Sequence, residues 1–205
     1  MWEFGGPDPG TWERATVPVD GALHDACDSA NGPVAVGAGG AVLGRRPGGD
    51  GGSGAGSDAA ADTGDWGLVV EDGPAARGRT LRAADATDDG ARVWFAGAGG
   101  ALGAFDLATG ERIDRSGPDD SENTLGALCV AGERGAEKLL VADGSGNVHA
   151  GDVTGDDVEW SRPGTPPDGS ALAGLAAAGP VGYGVDGDGD VWRTTAEGWD
   201  RVGID

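Results

Sequence analysis

Four times along this chain, a glycine-rich segment stands between two apolar runs. The copies read VAVGAGGAVL at 34–43, WFAGAGGALG at 94–103, LVADGSGNVH at 140–149 and GYGVDGDGDVW at 182–192. Their aligned glycines, Gly40, Gly100, Gly146 and Gly189, are 60, 46 and 43 residues apart. A period in the low forties is the length of one four-stranded propeller blade. The sequence therefore predicts an all-β propeller with four recognisable blades.

Residue size also changes in a regular way within each repeat. Each copy opens on a run of small apolar residues, LHDAC, LRAADA, LGALCV or LAGLAAA, and three of the four close on a run with tryptophan: Trp66, Trp160 and Trp199. Small residues suit an innermost strand near a crowded axis, and large ones suit an outer strand, which favours a propeller over a sandwich. We predict a single domain over 1–205, with blades at about 21–70, 80–117, 124–163 and 171–203 and an extra N-terminal strand at 11–19.

One interval is longer than the others because of an insertion. The segment GGDGGSGAGSDAAADTGD at 48–65 contains only glycine, serine, aspartate, alanine and threonine. Without these eighteen residues, the first interval falls from 60 to 42 and matches the others. Its composition predicts a flexible acidic loop inside the first blade, because such residues bury too little apolar surface to become ordered.

The charge of the chain is strongly acidic and evenly spread. There are 35 acidic and 14 basic residues, a formal net charge of −21, and Lys138 is the single lysine. Aspartates occur in nearly every turn, which favours adaptation to molar salt over one acidic binding face. At that salt concentration the Debye length is about 3 Å, so self-repulsion is screened. The balance argues against nucleic acid or an anionic membrane as a partner.

The sequence shows no targeting signal. The segment MWEFGGPDPG lacks the basic and apolar regions of a signal peptide, and no apolar run approaches the length of a membrane span. We therefore predict a cytoplasmic protein.

Cys27 and Cys129 fall on innermost strands of blades that are not adjacent, too far apart for a disulfide. Both are interpreted as small buried residues.

Candidate sites for chemistry are few. Asp186, Asp188 and Asp190 alternate as in a calcium loop, but an EF-hand needs glycine at the sixth position, where Val191 stands. The segment aligns with hairpin turns that lack acids, so we predict no metal site. His24 and His149 have no nucleophile in a recognisable context. We predict no catalytic, cofactor-binding or metal-binding residue and no cofactor; the polar exceptions on the inner strands are Asp25, Arg82 and Asp85.

Several phrases resemble known propellers. VGAGGAVLGRR at 36–46 and VDGDGDVWRTTAEGW at 185–199 are similar to repeats of photosystem II stability/assembly factors and of the sialidase-type Asp-box group. With LHDA, VWFAGAGGALGAFDLATG and GSGNV, most of 11–203 resembles a group of haloarchaeal β-propeller proteins. An Asp-box reads Ser/Thr-x-Asp-x-Gly-x-x-Trp, and TTAEGW at 194–199 lacks the aspartate. No sialidase residue is carried over, and the resemblance implies a scaffold that binds another protein.

These observations favour a non-enzymatic interaction or assembly platform of a halophilic archaeon, with the blade-top loops as its binding face. The alternative is a propeller enzyme, or a binder of a small molecule such as a sugar or quinone cofactor, that uses the central channel. The outer-strand tryptophan Trp12 has no blade to complete, which predicts a shortened version of a larger ring. Further repeats downstream, or self-association through exposed blade flanks, would then cover the apolar flanks.

Overall fold

Strands make up the regular structure of the described part of the chain, apart from 3₁₀ turns at Ala38–Gly40, Ala98–Gly100 and Pro118–Asp120. The computed structural model describes residues 2–5, 11–45, 66–75 and 77–203. Strands β1 (Trp2–Gly5) and β2 (Thr11–Arg14) pair antiparallel as a separate hairpin. No α-helix occurs in these residues, and no helix there is long and apolar enough to cross a membrane.

The other sixteen strands form four antiparallel sheets, each of four strands in chain order. Sheet I contains β3 (Leu23–Cys27), β4 (Val34–Gly37), β5 (Val42–Arg45) and β6 (Trp66–Val70). Sheet II contains β7 (Leu81–Ala86), β8 (Arg92–Gly97), β9 (Leu102–Asp106) and β10 (Arg112–Asp114). Sheet III contains β11 (Leu125–Ala131), β12 (Lys138–Asp143), β13 (Val148–Thr154) and β14 (Asp157–Ser161). Sheet IV contains β15 (Leu172–Ala178), β16 (Val181–Asp186), β17 (Val191–Thr195) and β18 (Gly198–Val202).

The sheets stack side by side as propeller blades, which confirms the predicted fold class. Strand β7 packs beside β3 and β11, and β15 packs beside β11, so the first strand of each sheet lies at the inner edge. An apolar core fills each space between neighbouring sheets; the largest includes Trp94, Leu102, Leu139 and Val141, between sheets II and III. The helix-prone segment LAGLAAA is strand β15, as its place in the repeat predicts.

Glycine is required at position 100, one of the aligned positions of the repeat, for two reasons. Gly100 has a φ of 71°, in the left-handed region where a side chain is strained. A Cβ at Gly100 would also collide with the backbone carbonyl of Ser121, in the loop that leads to sheet III. The hairpin and the loop can therefore pack together only when this residue has no side chain.

The N-terminal segment differs from the predicted strand at 11–19. Strand β2 ends at Arg14, and Pro18, which has no N–H group, would interrupt a ladder that ran on to residue 19. Ala15, Val17 and Val19 instead pack against the core residues Ala35, Leu43 and Trp66 of sheet I. That flank of the first blade is thus covered by the chain itself, contrary to the expectation that it is exposed. The predicted flexible loop at 48–65 lies outside the described residues.

Candidate functional site

The inner edge of the sheets carries a repeated irregularity. In the first strand of every sheet, a β-bulge interrupts the pairing with the second strand at the same place. The extra residues are His24, Arg82, Gly126 and Ala173, and all four are exposed. Bulges re-aim side chains and are frequent beside functional sites. His24 and Arg82 thus occupy equivalent positions on the neighbouring strands β3 and β7. The equivalent positions of sheets III and IV hold the small residues Gly126 and Ala173.

The two carboxylates predicted to border the channel are bound to the backbone. Asp25 Oδ2 accepts a hydrogen bond from the amide of Ala84 at 2.9 Å, which ties sheet I to sheet II. Asp85 Oδ2 accepts one from the amide of Val130 at 2.8 Å, which ties sheet II to sheet III. Each also caps the amide of the residue that follows it. Both side chains therefore join neighbouring inner strands.

The cysteines flank Asp85 on the strands to either side of it. Cys129 is buried and Cys27 is half-buried, and both thiols are free, in agreement with the prediction that they form no disulfide. Burial, with the negative charge of Asp85 added to it, raises the pKa of each thiol to about 12. Burial also raises the pKa of Asp85, with Asp25 contributing. Thiols with such a pKa remain protonated near neutral pH and are poor nucleophiles and metal ligands.

Two of the three aspartates in the candidate calcium loop lie together, but with an unforeseen third residue. Asp168, Asp186 and Asp190 each place one carboxylate oxygen within 4.8 Å of the others, whereas Asp188 is not in the group. Asp186 is already occupied: its Oδ1 accepts the amides of Asp188 and Asp190, and its Oδ2 accepts the indole N–H of Trp192 at 2.9 Å. These bonds, that of Trp192 first, hold the pKa of Asp186 below its usual value. These hydrogen bonds stabilise the turn at 186–190, so Asp186 has a structural role.

The absence of a calcium site remains a prediction, and the structure sharpens its test. We expect no micromolar calcium binding by calorimetry, either for the native protein or for Asp188→Asn. Asp186→Asn should lower the Tm, because an amide N–H₂ placed toward Trp192 would oppose its indole N–H. Asp188→Asn is the matched control and should leave the Tm unchanged. Micromolar affinity that disappears in Asp186→Asn would overturn this account.

A buried cluster of charges, which sequence reasoning missed, connects sheets II and III. Arg92 is 2% exposed and uses its whole guanidinium group. Its Nε and Nη2 donate to Asp106, its Nη1 to Glu137 at 3.2 Å and to the Gly155 carbonyl, and its Nη2 also to Asp156 at 2.8 Å. An arginine has five N–H donors, so no donor remains for a ligand. The available signal was the arginine at the start of the buried strand RVWFAG.

Electrostatics fixes the ionisation of this cluster. Asp106 is 1% exposed, and burial by itself would raise its pKa. The hydrogen bonds from Arg134, Thr109 and Arg92 outweigh burial and hold the pKa of Asp106 far below its usual value. Arg134 also forms an ion pair with this carboxylate. Asp106 therefore stays charged, and the cluster serves as a clamp between two blades.

Residues with strained backbone lie on the side of the molecule opposite to the Arg92 cluster. The hairpins at 38–41, 98–101, 144–147 and 187–190 and the loops at 71–75, 77–80, 115–124 and 162–171 share this side, because each sheet is an antiparallel meander; we call it the top face. In the loop at 115–124, Asp119 and Asp120 have φ angles of 53° and 61°. They are the two described non-glycine residues with positive φ, and both are exposed. Non-glycine residues in this region cost on the order of 1–3 kcal/mol each and concentrate at functional sites.

Neighbouring groups hold this strained loop in place. Pro118 is buried, and Arg162, from the loop that leads to sheet IV, forms an ion pair with Asp119. The amide of Gly100 donates to the Asn123 carbonyl at 2.8 Å, and Gly117 donates to the Gly100 carbonyl. The loop at 115–124 is thus a fixed projection that presents two carboxylates.

Beneath this region lies His149, the second candidate histidine. Its ring is 2% exposed, and neither ring nitrogen has a hydrogen-bond partner among the described residues. Burial lowers its pKa; the charged groups around it are Asp143 and Asp119, which oppose the shift, and Arg162, which adds to it. The ring is therefore neutral near pH 7, and its burial indicates a structural role.

The neutral ring makes stability depend on pH in a defined window. The unfolded chain binds a proton at His149 near pH 6.5, whereas the folded protein resists protonation to a lower pH. The free energy of unfolding should be level above about pH 6.5 and fall as pH drops through the lowered pKa of the folded state. His149→Leu should remove that slope and add about 1–2 kcal/mol, because two unpaired buried nitrogens disappear. Denaturant titrations from pH 8 to 5 (approximate limits set by the reference pKa) check this, with the exposed His24→Leu as control; an unchanged slope in His149→Leu would contradict it.

Solved structures share this fold at low sequence identity. A match to Chaetomium thermophilum Sqt1 has a TM-score of 0.69 at 15% identity and covers 96% of this chain and 51% of that chain. A match to a chain of the mitotic checkpoint complex has a TM-score of 0.55 at 16% identity and covers 88% and 50%. The computationally designed Ika4 protein matches with a TM-score of 0.59 at 14% identity, over 93% and 98%.

The likenesses establish a β-propeller fold, and the matched Sqt1 and checkpoint-complex chains are WD40-like propellers. The chain spans about half the length of these two proteins. No protein-family model matches the sequence, and no curated protein is significantly similar to it.

Proposed function

We propose that this chain is a non-enzymatic propeller that binds another protein through its top face. The observation that carries the proposal is the strained loop at 115–124, where Asp119 and Asp120 are exposed in left-handed conformation. A packed neighbouring loop is needed to keep such a backbone in place, and Arg162 supplies that restraint. Strain of this kind persists where a fixed shape is useful, and a projecting loop with fixed shape suits recognition of a protein surface.

The state of the channel groups supports binding over catalysis. An enzyme in the channel would need an acid, base or nucleophile free to react. Asp25 and Asp85 are engaged with backbone amides, and both cysteine thiols have raised pKa values. The rival hypothesis of a channel enzyme or a sugar or quinone binder would rest on His24 and Arg82, which have no carboxylate described as their partner.

The setting of the protein is part of the proposal. One structural neighbour is a chain of the mitotic checkpoint complex, an assembly of proteins, which supports a protein as the partner. The net charge of −21 is spread over every sheet, which supports a cytoplasmic protein of a halophilic archaeon and disfavours nucleic acid and membranes as partners. Assembly would then take place at molar salt, where charged groups such as Asp119 and Asp120 act only on groups that they contact directly.

Two charge-matched variants test the proposed face. Asp119→Asn/Asp120→Asn removes two charges from the top face, and asparagine tolerates the left-handed backbone. Glu111→Gln/Glu133→Gln removes two exposed charges from the opposite side. In pull-downs from a high-salt lysate, the native protein and the control variant should recover the same amount of a partner. The top-face variant should recover at least tenfold less of it. Equal retention by both variants would overturn the proposal.

A second candidate property, self-association, is favoured by the outer flank of sheet IV. At equivalent positions of the second strands, Val36, Ala96 and Ala142 are 0%, 0% and 1% exposed, because the next sheet covers them. Val185 occupies this position in sheet IV and is 41% exposed. We propose that a second copy of the chain covers this flank with the same flank of its own sheet IV, since the outer flank of sheet I is already covered by Ala15, Val17 and Val19. Light scattering at high salt should show a dimer that Val185→Asp converts to monomer; a native monomer contradicts this.

A further inference from the structure

Three of the fourteen basic residues of this acidic chain lie within six consecutive positions. The segment RGRTLR at 77–82 contains Arg77, Arg79 and Arg82, and we call it the basic segment. It comprises the loop at 77–80 and the first two residues of strand β7. Because that loop leads into the first strand of sheet II, the basic segment lies at the top face.

The basic segment differs in its ion pairs from the basic residues that follow it. Every basic residue after position 82 pairs with a carboxylate: Arg92, Arg112, Arg115, Arg134, Lys138, Arg162, Arg193 and Arg201. In the described part of the chain, no carboxylate forms an ion pair with the three arginines of the basic segment, and Asp72 of the preceding loop is paired with Arg112. In a chain with 35 acidic residues, three neighbouring arginines without such a pair remain available to carboxylates of another molecule.

Hydrogen bonds fix the basic segment beside the strained loop of the top face. The guanidinium group of Arg79 donates to the carbonyl of Gly99, in the hairpin at 98–101. The amide of Gly100, in the same hairpin, donates to the carbonyl of Asn123 in the strained loop at 2.8 Å. The hairpin therefore contacts both the basic segment and the strained loop, so one partner can touch both.

Arg82 extends the basic segment to the mouth of the channel. It is the extra residue at the bulge of β7 and is exposed, whereas its neighbours Leu81 and Ala83 are 0% and 4% exposed. Its side chain thus lies outside the packed faces of the sheets, at their inner edge. His24 is exposed at the equivalent bulge of the neighbouring strand β3. A histidine ring has an N–H group that can donate to a carboxylate.

We propose that the basic segment, together with His24, binds a segment of the partner protein that carries two or more carboxylates. The inference rests on the proposed function, because it names the chemistry of the partner at the same face. A guanidinium group binds a carboxylate through two parallel hydrogen bonds, which gives both energy and orientation. The net charge of −21 does not prevent such contacts at molar salt, since charges are screened beyond about 3 Å.

The test uses labelled hexaglutamate as the probe and measures its fluorescence anisotropy at molar KCl. Six extended residues span at most about 20 Å, the same limit as for residues 77–82, so the peptide is long enough to contact both Arg77 and Arg82. The native protein should bind the probe saturably. Arg77→Gln/Arg82→Gln should weaken binding at least tenfold and leave the Tm unchanged, because both side chains are exposed.

The matched control is Arg193→Gln/Arg201→Gln. These two arginines are 55% and 62% exposed, but they pair with Asp200 and Asp190. Since exposed pairs contribute about 0–1 kcal/mol, this variant should stay folded and bind hexaglutamate like the native protein.

Three outcomes would overturn the inference. They are the absence of saturable binding by the native protein, equal affinity of the two double variants, and binding of labelled hexaglutamine or oligothymidylate as tight as that of hexaglutamate. The last would indicate a site for peptides in general or for nucleic acid. The pull-down with Asp119→Asn/Asp120→Asn changes neither Arg77 nor Arg82, so failure of this inference is distinguishable from failure of the proposed function.

Discussion

Replacing Arg92 with methionine should lower the free energy of unfolding by about 3–5 kcal/mol, the loss expected when one partner of a buried ion pair is removed. Asp106 and Glu137 are each about 1% exposed; Glu137 would lose the cation that neutralises it, and Asp106 would keep only the partly exposed Arg134. Because these carboxylates belong to different sheets, their repulsion would also push sheets II and III apart. Denaturant unfolding followed by tryptophan fluorescence measures the effect, since Trp94 lies in the core between these sheets.

The control for this experiment is Arg112→Met. Arg112 forms an ion pair with Asp72 at 3.2 Å, but both side chains are nearly half exposed. Such pairs contribute about 0–1 kcal/mol. A loss in Arg92→Met no larger than that in Arg112→Met would show that the buried cluster does not clamp the two sheets.

The second large effect that we expect is a dependence of the stability of the fold on salt concentration. Since the chain carries a net charge of −21, its carboxylates repel one another in dilute buffer, which destabilises the compact state. We expect a cooperative fold at about 2–4 M KCl, where charges beyond contact are screened, and unfolding in dilute buffer. Near-UV circular dichroism across a KCl series measures this. An unchanged signal below ~0.1 M salt would remove the argument for halophilic adaptation.

The strands were predictable because their signals are local. The glycines at Gly40 and Gly100 permit the tight hairpins, and the small-to-large order of residues in each repeat sets which strand is innermost. The repeat itself predicts sheet order, since each sheet is formed by consecutive strands. Even LAGLAAA, whose propensity is helical, follows its position in the repeat because pairing with β16 overrides propensity.

The contacts between repeats were not predictable. Arg92, Glu137 and Asp156 are separated by up to 64 residues and meet only because two sheets pack face to face. Asp168 joins Asp186 and Asp190 through a loop with no repeat signal. The bulges at His24 and Arg82 depend on pairing register, which a single sequence leaves open.

The left-handed backbone at Asp119 and Asp120 was also beyond sequence reasoning. Aspartate tolerates this region more readily than most residues, but it adopts it here only because Pro118 and Arg162 fix the loop. The covering of sheet I by Ala15, Val17 and Val19 was likewise missed, since an alternating pattern reads as a strand. Both features come from packing partners that are distant in sequence.

Hydrogen exchange of the native protein, alone and with its captured partner at high salt, tests the proposed binding face most directly. Bound partner should slow exchange in the loop at 115–124 and in the adjacent hairpin at 98–101, which share backbone hydrogen bonds. The opposite loops at 28–33 and 132–137 should exchange at unchanged rates. Protection confined to those opposite loops, or to the inner strands β3 and β7, would contradict a top-face interaction platform.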